Sequence, residues 1–191
     1  MTEPERASDV DQPEGGAPSR EAEGTGRTPT RSLAGGTVVL TPAPPRALPG
    51  GLLSRVDVLV PNEHELVQLA GAAPGERTPA ELAGLARGLG VRAAVVTLGP
   101  RGALIVPSGG GPALLQQALV VDAVDTTGAG DCFTGALAQA LAGGADLAGA
   151  VRYAVAAAAL STTGPGARGA LPGDDDVRAV LDQVPPATEI G

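Results

Sequence analysis

Three times along this chain a short apolar, largely β-branched run stops at a polar or glycine-rich turn. "VDVLV" (56–60) runs into "PNEHE" (61–65), "RAAVVTLG" (92–99) into "PRG", and "QQALVVDAV" (116–124) into "DTTGAGD". Runs of this length and composition read as buried strands. Polar signatures repeated at the C-terminal ends of strands are what a ligand crevice in an open α/β sheet requires.

The stretches between these runs supply the helices. "NEHELVQLAG" from Asn62 places Leu66 and Leu69 on one face and stops at Gly71. "TPAE" (78–81) predicts a helix start, with Thr78 as N-cap, Pro79 in the first turn and Glu81 closing a capping box; Gly90 ends that helix. "GALIV" (102–106) is a hairpin partner for the strand before it. Residues 131–142 and 146–160 are Ala-rich helical patterns, the second capped by Asp146, and "DDDVRAVLDQV" (174–184) is a last amphipathic helix with acidic residues at its positive end. "TVVL" (37–40) adds a strand ahead of all of them. Strands alternating with helices predict an α/β layer architecture with a mainly parallel sheet.

Composition narrows the function classes. With one Phe, one Tyr and no Trp, the core must be built from Ala, Val and Leu, and no aromatic platform for nucleic acid exists. The net charge of −8, with Arg supplying every basic residue, argues against nucleic-acid binding through the overall field. One Cys (Cys132) and one His (His64) exclude an intrachain disulfide framework and argue against a Cys/His zinc site. The acidic N-terminus has no apolar segment behind it, and no apolar run reaches the roughly 18 residues of a membrane span, so a cytoplasmic location is expected. Residues 1–30, rich in Glu, Pro, Gly and Ser, are expected to form a disordered acidic arm. The folded domain is expected over 31–185, with 186–191 as a tail.

"AVDTTGAGDCFTGAL" (123–137) carries the chemistry. A strand ending near Val124 would pass through "DTTGAG" into a helix starting around Asp131. The amides of Gly128, Ala129 and Gly130 would then gather at a helix N-terminus, where unpaired N–H groups and the helix dipole favour an anion. A carboxylate at Asp131 would repel a phosphate bound at rest. It makes sense as the acceptor of a proton from an attacking hydroxyl, with the amides holding the charge of a moving phosphoryl group. Alone, the motif also fits a tight turn in which Asp131 satisfies helix-start amides. The glycine spacing lacks the GxGxxG pattern of dinucleotide sites, and no GxxxxGK[ST] loop is present.

In their order and spacing these segments, with "TVVLTPAPPRALPGGLLSRVDVLVPNEHELVQLAG" and "AVRYAVAAAALSTTGPGARGALP", resemble the ribokinase-like (PfkB) carbohydrate kinases over about residues 31–185. The resemblance implies a three-layer α/β/α fold and ATP-dependent phosphorylation of a sugar hydroxyl, ribose to ribose 5-phosphate being the first candidate. It makes Asp131 the general base and the amides of Gly128, Ala129 and Gly130 the anion hole. It matches Asn62 and Glu65 to an N-x-x-E motif near the phosphates, with Glu65 organising Mg²⁺ through water. Thr97, Gly99, Arg101 and Gly102 fall in the segment lining the nucleotide site. Asp125 and Thr127, with the backbone carbonyls of Ser161, Gly164, Gly166 and Ala170, match a monovalent-cation (K⁺) site.

Competing local roles remain beside these. Glu65 on a first helical turn is favoured by the dipole alone, Thr97 fits an ordinary strand end, and Asp125 fits a cap of the following turn. His64 reads as a solvent-facing helix residue and Cys132 as a small buried side chain. The family's N-terminal portion, with its Gly-Gly sugar signature and small β lid, is expected to be missing here, and the fold to be truncated accordingly. Dimerisation through such a lid is therefore not expected. Thr41 stands where the family commonly has Asn, Val155 where a polar residue often lies near the adenine, and Ala170 lacks a hydroxyl common at its position. The alternative to a sugar kinase is a truncated, catalytically inactive fragment that retains nucleotide binding. A weaker third is a nucleotide-responsive scaffold with an acidic arm.

Overall fold

The computed structural model describes residues 36–46, 48–49 and 51–190, so the arm expected over 1–30 lies outside the described residues. Among the described residues six strands form one sheet in the order β1 (Val39–Leu40), β2 (Val58–Leu59), β3 (Ala93–Thr97), β4 (Ala103–Val106), β5 (Leu114–Gln116) and β6 (Thr188–Glu189). Pairing is parallel from β1 to β3 and antiparallel from β3 to β6. The parallel expectation thus holds for the first three strands, which are joined by long crossovers. It gives way where the links Leu98–Gly102 and Pro107–Ala113 are too short for anything but a hairpin. Within the segment 186–191 expected as a tail, Thr188–Glu189 forms β6, and the Ile190 amide donates to the Ala113 carbonyl at 3.0 Å.

Helices cover both faces. On one side α1 (Glu63–Leu69) and α2 (Pro79–Gly88) bury Leu66, Leu82, Ala83 and Ala86 against Ala94, Val96, Leu104 and Val106. On the other, α3 (Ala129–Ala142), α4 (Leu147–Ser161) and α5 (Asp174–Val180) bury Phe133, Leu137, Ala150, Val151, Ala154 and Val177 against Val58, Val95, Ala103 and Ile105. Alternate residues of β3 and β4 therefore feed different cores. This is why both strands read as unbroken apolar runs. The small side chains along α3 and α4 let these helices pack closely, and the few aromatics are not missed.

The caps follow the sequence. Thr78 accepts from the Glu81 amide while Glu81 Oε2 accepts from the Thr78 amide at 2.7 Å, and Asp146 accepts from the Gly149 amide at 2.7 Å. Buried Asp57 ties the N-terminal ends of the parallel strands together: its Oδ2 accepts from the Val38 amide at 2.9 Å and its Oδ1 lies 3.6 Å from Arg92 Nη1. The opposite, C-terminal ends are thereby left to the glycine-rich turns. Among the described residues no helix is long and apolar enough to cross a membrane.

Candidate active site

The third signature differs from expectation in its entry. β5 ends at Gln116, and residues 117–123 run on without joining the sheet, so no strand ends at Val124. Val120 is 94% and Val124 67% exposed, and the Val124 and Asp125 amides donate to the Thr162 carbonyl rather than to a strand. The β-branched run had the composition of a strand but has no neighbour to pair with.

Helix α3 starts at Ala129, with Gly128 as N-cap at φ +80°. A Cβ on Gly128 would lie 2.9 Å from the Ala167 methyl, so glycine is needed for the conformation and for the approach of the 162–170 loop. Asp131 is the third helical residue, exposed and without a hydrogen-bond or ion-pair partner among the described residues. The Ala129 amide, expected to be free, closes a turn onto the Thr126 carbonyl at 3.2 Å. The amides of Gly128, Gly130 and Asp131 have no protein acceptor among the described residues, leaving three donors at the positive end of a 14-residue helix.

Beside this helix start lies a cleft of about 450 Å³. Thr97, Gly99 and Gly102 form one side, Leu119 and Val121 a second, Ala129, Gly130 and Phe133 a third, and Val155, Ala158, Ala159 and Thr162 the last. The Ala158 and Ala159 carbonyls near the end of α4 already accept side-chain bonds. Ser161 Oγ donates to Ala158 O at 2.8 Å and Thr162 Oγ1 to Ala159 O at 2.7 Å, so that wall offers mainly methyl groups. A flat, apolar group such as a nucleobase suits it. The spacing of Val155, Ala158, Ala159 and Thr162 on one helical face was available from sequence as a signal for this wall. Phe133, Leu119 and Val121 also line the cleft and carry no such signal in the sequence.

Not every expected residue faces this cleft. Arg101 turns away: its guanidinium pairs with Glu63, which raises the arginine pKa further, in a separate groove that also borders His64 and Arg77. Asn62 and Glu65 form a reciprocal capping box, the Glu65 amide donating to Asn62 Oδ1 at 2.9 Å and the Asn62 amide to Glu65 Oε2 at 2.8 Å. They are nonetheless close to the Leu98–Gly102 turn, because Asn62 bridges Thr97 and the Thr97 amide donates to Pro61 O at 2.9 Å.

The six residues expected around a cation bring two loops together. Asp125 Oδ1 accepts from the Thr127 amide and Oδ2 from the Gly166 amide, both at 2.9 Å. Bonds from Thr127, side chain first and then backbone, followed by the one from Gly166, hold the Asp125 carboxyl below the usual carboxylate range. Gly164 packs on Ala170, where a Cβ would come within 2.8 Å of the Ala170 methyl. Ser161 is buried, immediately before the Thr162 carbonyl that receives the Val124 and Asp125 amides.

An α/β sheet carrying an apolar cleft and an uncapped helix start at the C-terminal ends of its strands has the layout of a ligand-binding crevice. The sequence pattern of the pfkB family carbohydrate kinases matches residues 31–173, and the chain belongs to that family. A ribokinase of Haemophilus influenzae is 36% identical over 136 residues, which cover 71% of this chain and 44% of that protein. The crystal structure of Thermotoga maritima ribokinase matches with a TM-score of 0.69 at 34% identity, covering 78% of this chain and 50% of its own. Arabidopsis thaliana ribokinase complexed with ribose and ATP matches with a TM-score of 0.66 at 33% identity, covering 76% of this chain and 47% of its own. The chain spans about half the length of the curated relatives it matches.

Proposed function

We propose that this chain carries the phosphoryl-transfer site of an ATP-dependent sugar kinase, with ribose, phosphorylated at its 5-hydroxyl, as the first candidate substrate. The observation that carries it is the first turn of α3, where an exposed, unpartnered carboxylate follows free amides bordering an apolar cleft. The base of ATP occupies the cleft and its phosphates reach the Gly128, Gly130 and Asp131 amides. Asp131 takes the proton of the sugar hydroxyl as its oxygen bonds to the γ-phosphorus. The bond from that phosphorus to the β,γ-bridging oxygen breaks, and the electron pair leaves with ADP. The amides stabilise charge on the equatorial oxygens during transfer.

Mg²⁺ would neutralise phosphate charge. Glu65, which uses only Oε2 in its cap, keeps the second oxygen for a metal-bound water. A K⁺ ion suits the all-oxygen set of Asp125, Thr127 and the carbonyls of Ser161, Gly164, Gly166 and Ala170. It would supply positive charge that steadies the two loops beside the helix start.

A coupled assay with ATP, Mg²⁺, K⁺ and ribose tests this. Asp131→Asn is expected to lower turnover by about 10²-fold or more with only a small fall in the urea midpoint, since Asp131 loses no hydrogen-bond partner and only its interaction with the helix dipole; equal rates would refute the assignment. The apolar cleft by itself supports a second reading, nucleotide binding without turnover. Calorimetric binding of ADP with no sugar phosphorylation would select it.

A further inference from the structure

The first turn of α3 is tied to a distant part of the chain by two hydroxyls. Thr134 lies one helical turn beyond Gly130, and its Oγ1 donates to the Gly130 carbonyl at 3.0 Å. Thr41, just after β1, places its own Oγ1 3.0 Å from Thr134 Oγ1. A threonine hydroxyl has a single proton. Thr134 spends it on Gly130, so Thr41 is the donor between the two. The bonds run one way, from Thr41 to Thr134 to the Gly130 carbonyl.

That carbonyl shares a peptide group with the Asp131 N–H, one of the three uncommitted amides at the helix start. Hydrogen bonds received by a peptide oxygen polarise the group and make its N–H a stronger donor. We propose that Thr41 and Thr134 are positioning residues. Through the Gly130 peptide they strengthen the Asp131 amide as an anion donor and fix the backbone from which the Asp131 carboxylate projects. The proposal rests on the phosphoryl-transfer reading above. It differs from the ordinary case of a helical threonine bonding its i−4 carbonyl, because it requires the contribution of Thr41, 93 residues away in sequence.

Thr134→Val and Thr41→Val, singly and together, and Thr134→Ser test it on the intact chain. In the kinase assay the Thr134→Val substitution is expected to lower kcat/KM for ATP by up to about fivefold, the effect of losing a tenth to three tenths of one charge-assisted hydrogen bond. Thr134→Ser restores the wild-type rate. Thr41→Val has a smaller effect alone and none on top of Thr134→Val, because both act along one path. In the nucleotide-free chain the ¹⁵N resonance of Asp131 moves upfield in Thr134→Val, and less so in Thr41→Val. An unmoved Asp131 resonance in Thr134→Val, or losses in the two valine variants that multiply, overturns the proposal. The resonance measurement needs no turnover, so a wild-type chain without kinase activity defeats the functional reading while the Thr41–Thr134 path is still decided by NMR.

Discussion

Gly102→Ala strikes where the Leu98–Gly102 turn meets the sheet. Gly102 has φ +95° and ψ −128°, closing the helical turn Gly99–Arg101 and leading into β4. A Cβ there would lie 2.0 Å from Gln116 O, 2.7 Å from Ala118 N and 2.8 Å from the Gln117 carbonyl carbon, all backbone atoms. Gln116 cannot retreat cheaply. It pairs with Ala103, and its side chain is buried, with Nε2 donating to Pro185 O at 2.9 Å. The backbone conformation costs a non-glycine residue about 1–3 kcal/mol, and opening the β4–β5 pairing leaves buried groups unpaired at about 1–3 kcal/mol. A loss of about 4 kcal/mol is expected, a large part of the stability of a domain this size. It would appear as a fall in Tm of roughly 10 °C and a lower urea midpoint by circular dichroism. Gly99→Ala is the control: φ is +57° but nothing lies within 4 Å of its Cβ, so only about 1 kcal/mol is lost. If the two variants lose equal stability, or Gly102→Ala stays within about 1 kcal/mol of wild type, backbone overlap is not what requires glycine here.

Two further substitutions separate structural from chemical roles. Glu65→Gln keeps an acceptor for the Asn62 amide, so its urea midpoint should match wild type while the Mg²⁺ concentration for half-maximal turnover rises. Asn62→Ala should cost about 1 kcal/mol of stability through the lost cap, and an unchanged Mg²⁺ response in Glu65→Gln would remove the metal role of Glu65. Asp125→Asn tests the loop junction by pH. The folded-state pKa of Asp125 is depressed below its ordinary 3.8, so its contribution is complete above that value and is lost as pH falls through the folded-state pKa. The wild-type chain should have the higher urea midpoint at pH 7, and the gap should narrow as pH drops below 3.8; a gap equally wide at pH 3 and pH 7 counts against the carboxylate as the crosslink.

What was legible in the sequence follows the range of the forces involved. The Thr78 capping box, the Asp146 cap and the unbroken apolar runs of β3 and β4 depend on neighbours a few residues apart, and each could be read directly. Strand pairing depends on partners far along the chain. The "QQALVVDAV" run therefore looked like a strand to Val124 although its ladder stops at Gln116, and the two-residue β6 was too short to show any period. Arg101 sat in the right segment, but the reach of its side chain toward Glu63 is a tertiary fact.

The most informative ambiguity is "NEHE". An acceptor at Asn62 and a carboxylate three residues later are what a capping box needs, and the family motif uses the same spacing. Local stability and phosphate chemistry ask for the same two residue types here, so no pattern could separate them. The structure shows why they need not compete. The cap consumes Asn62 Oδ1 and Glu65 Oε2, and a carboxylate has a second oxygen to give. A helix start held rigid by its own cap also fixes the Glu65 side chain on the first turn after the Asn62–Thr97 bridge, so the structural role of the pair serves any chemical one.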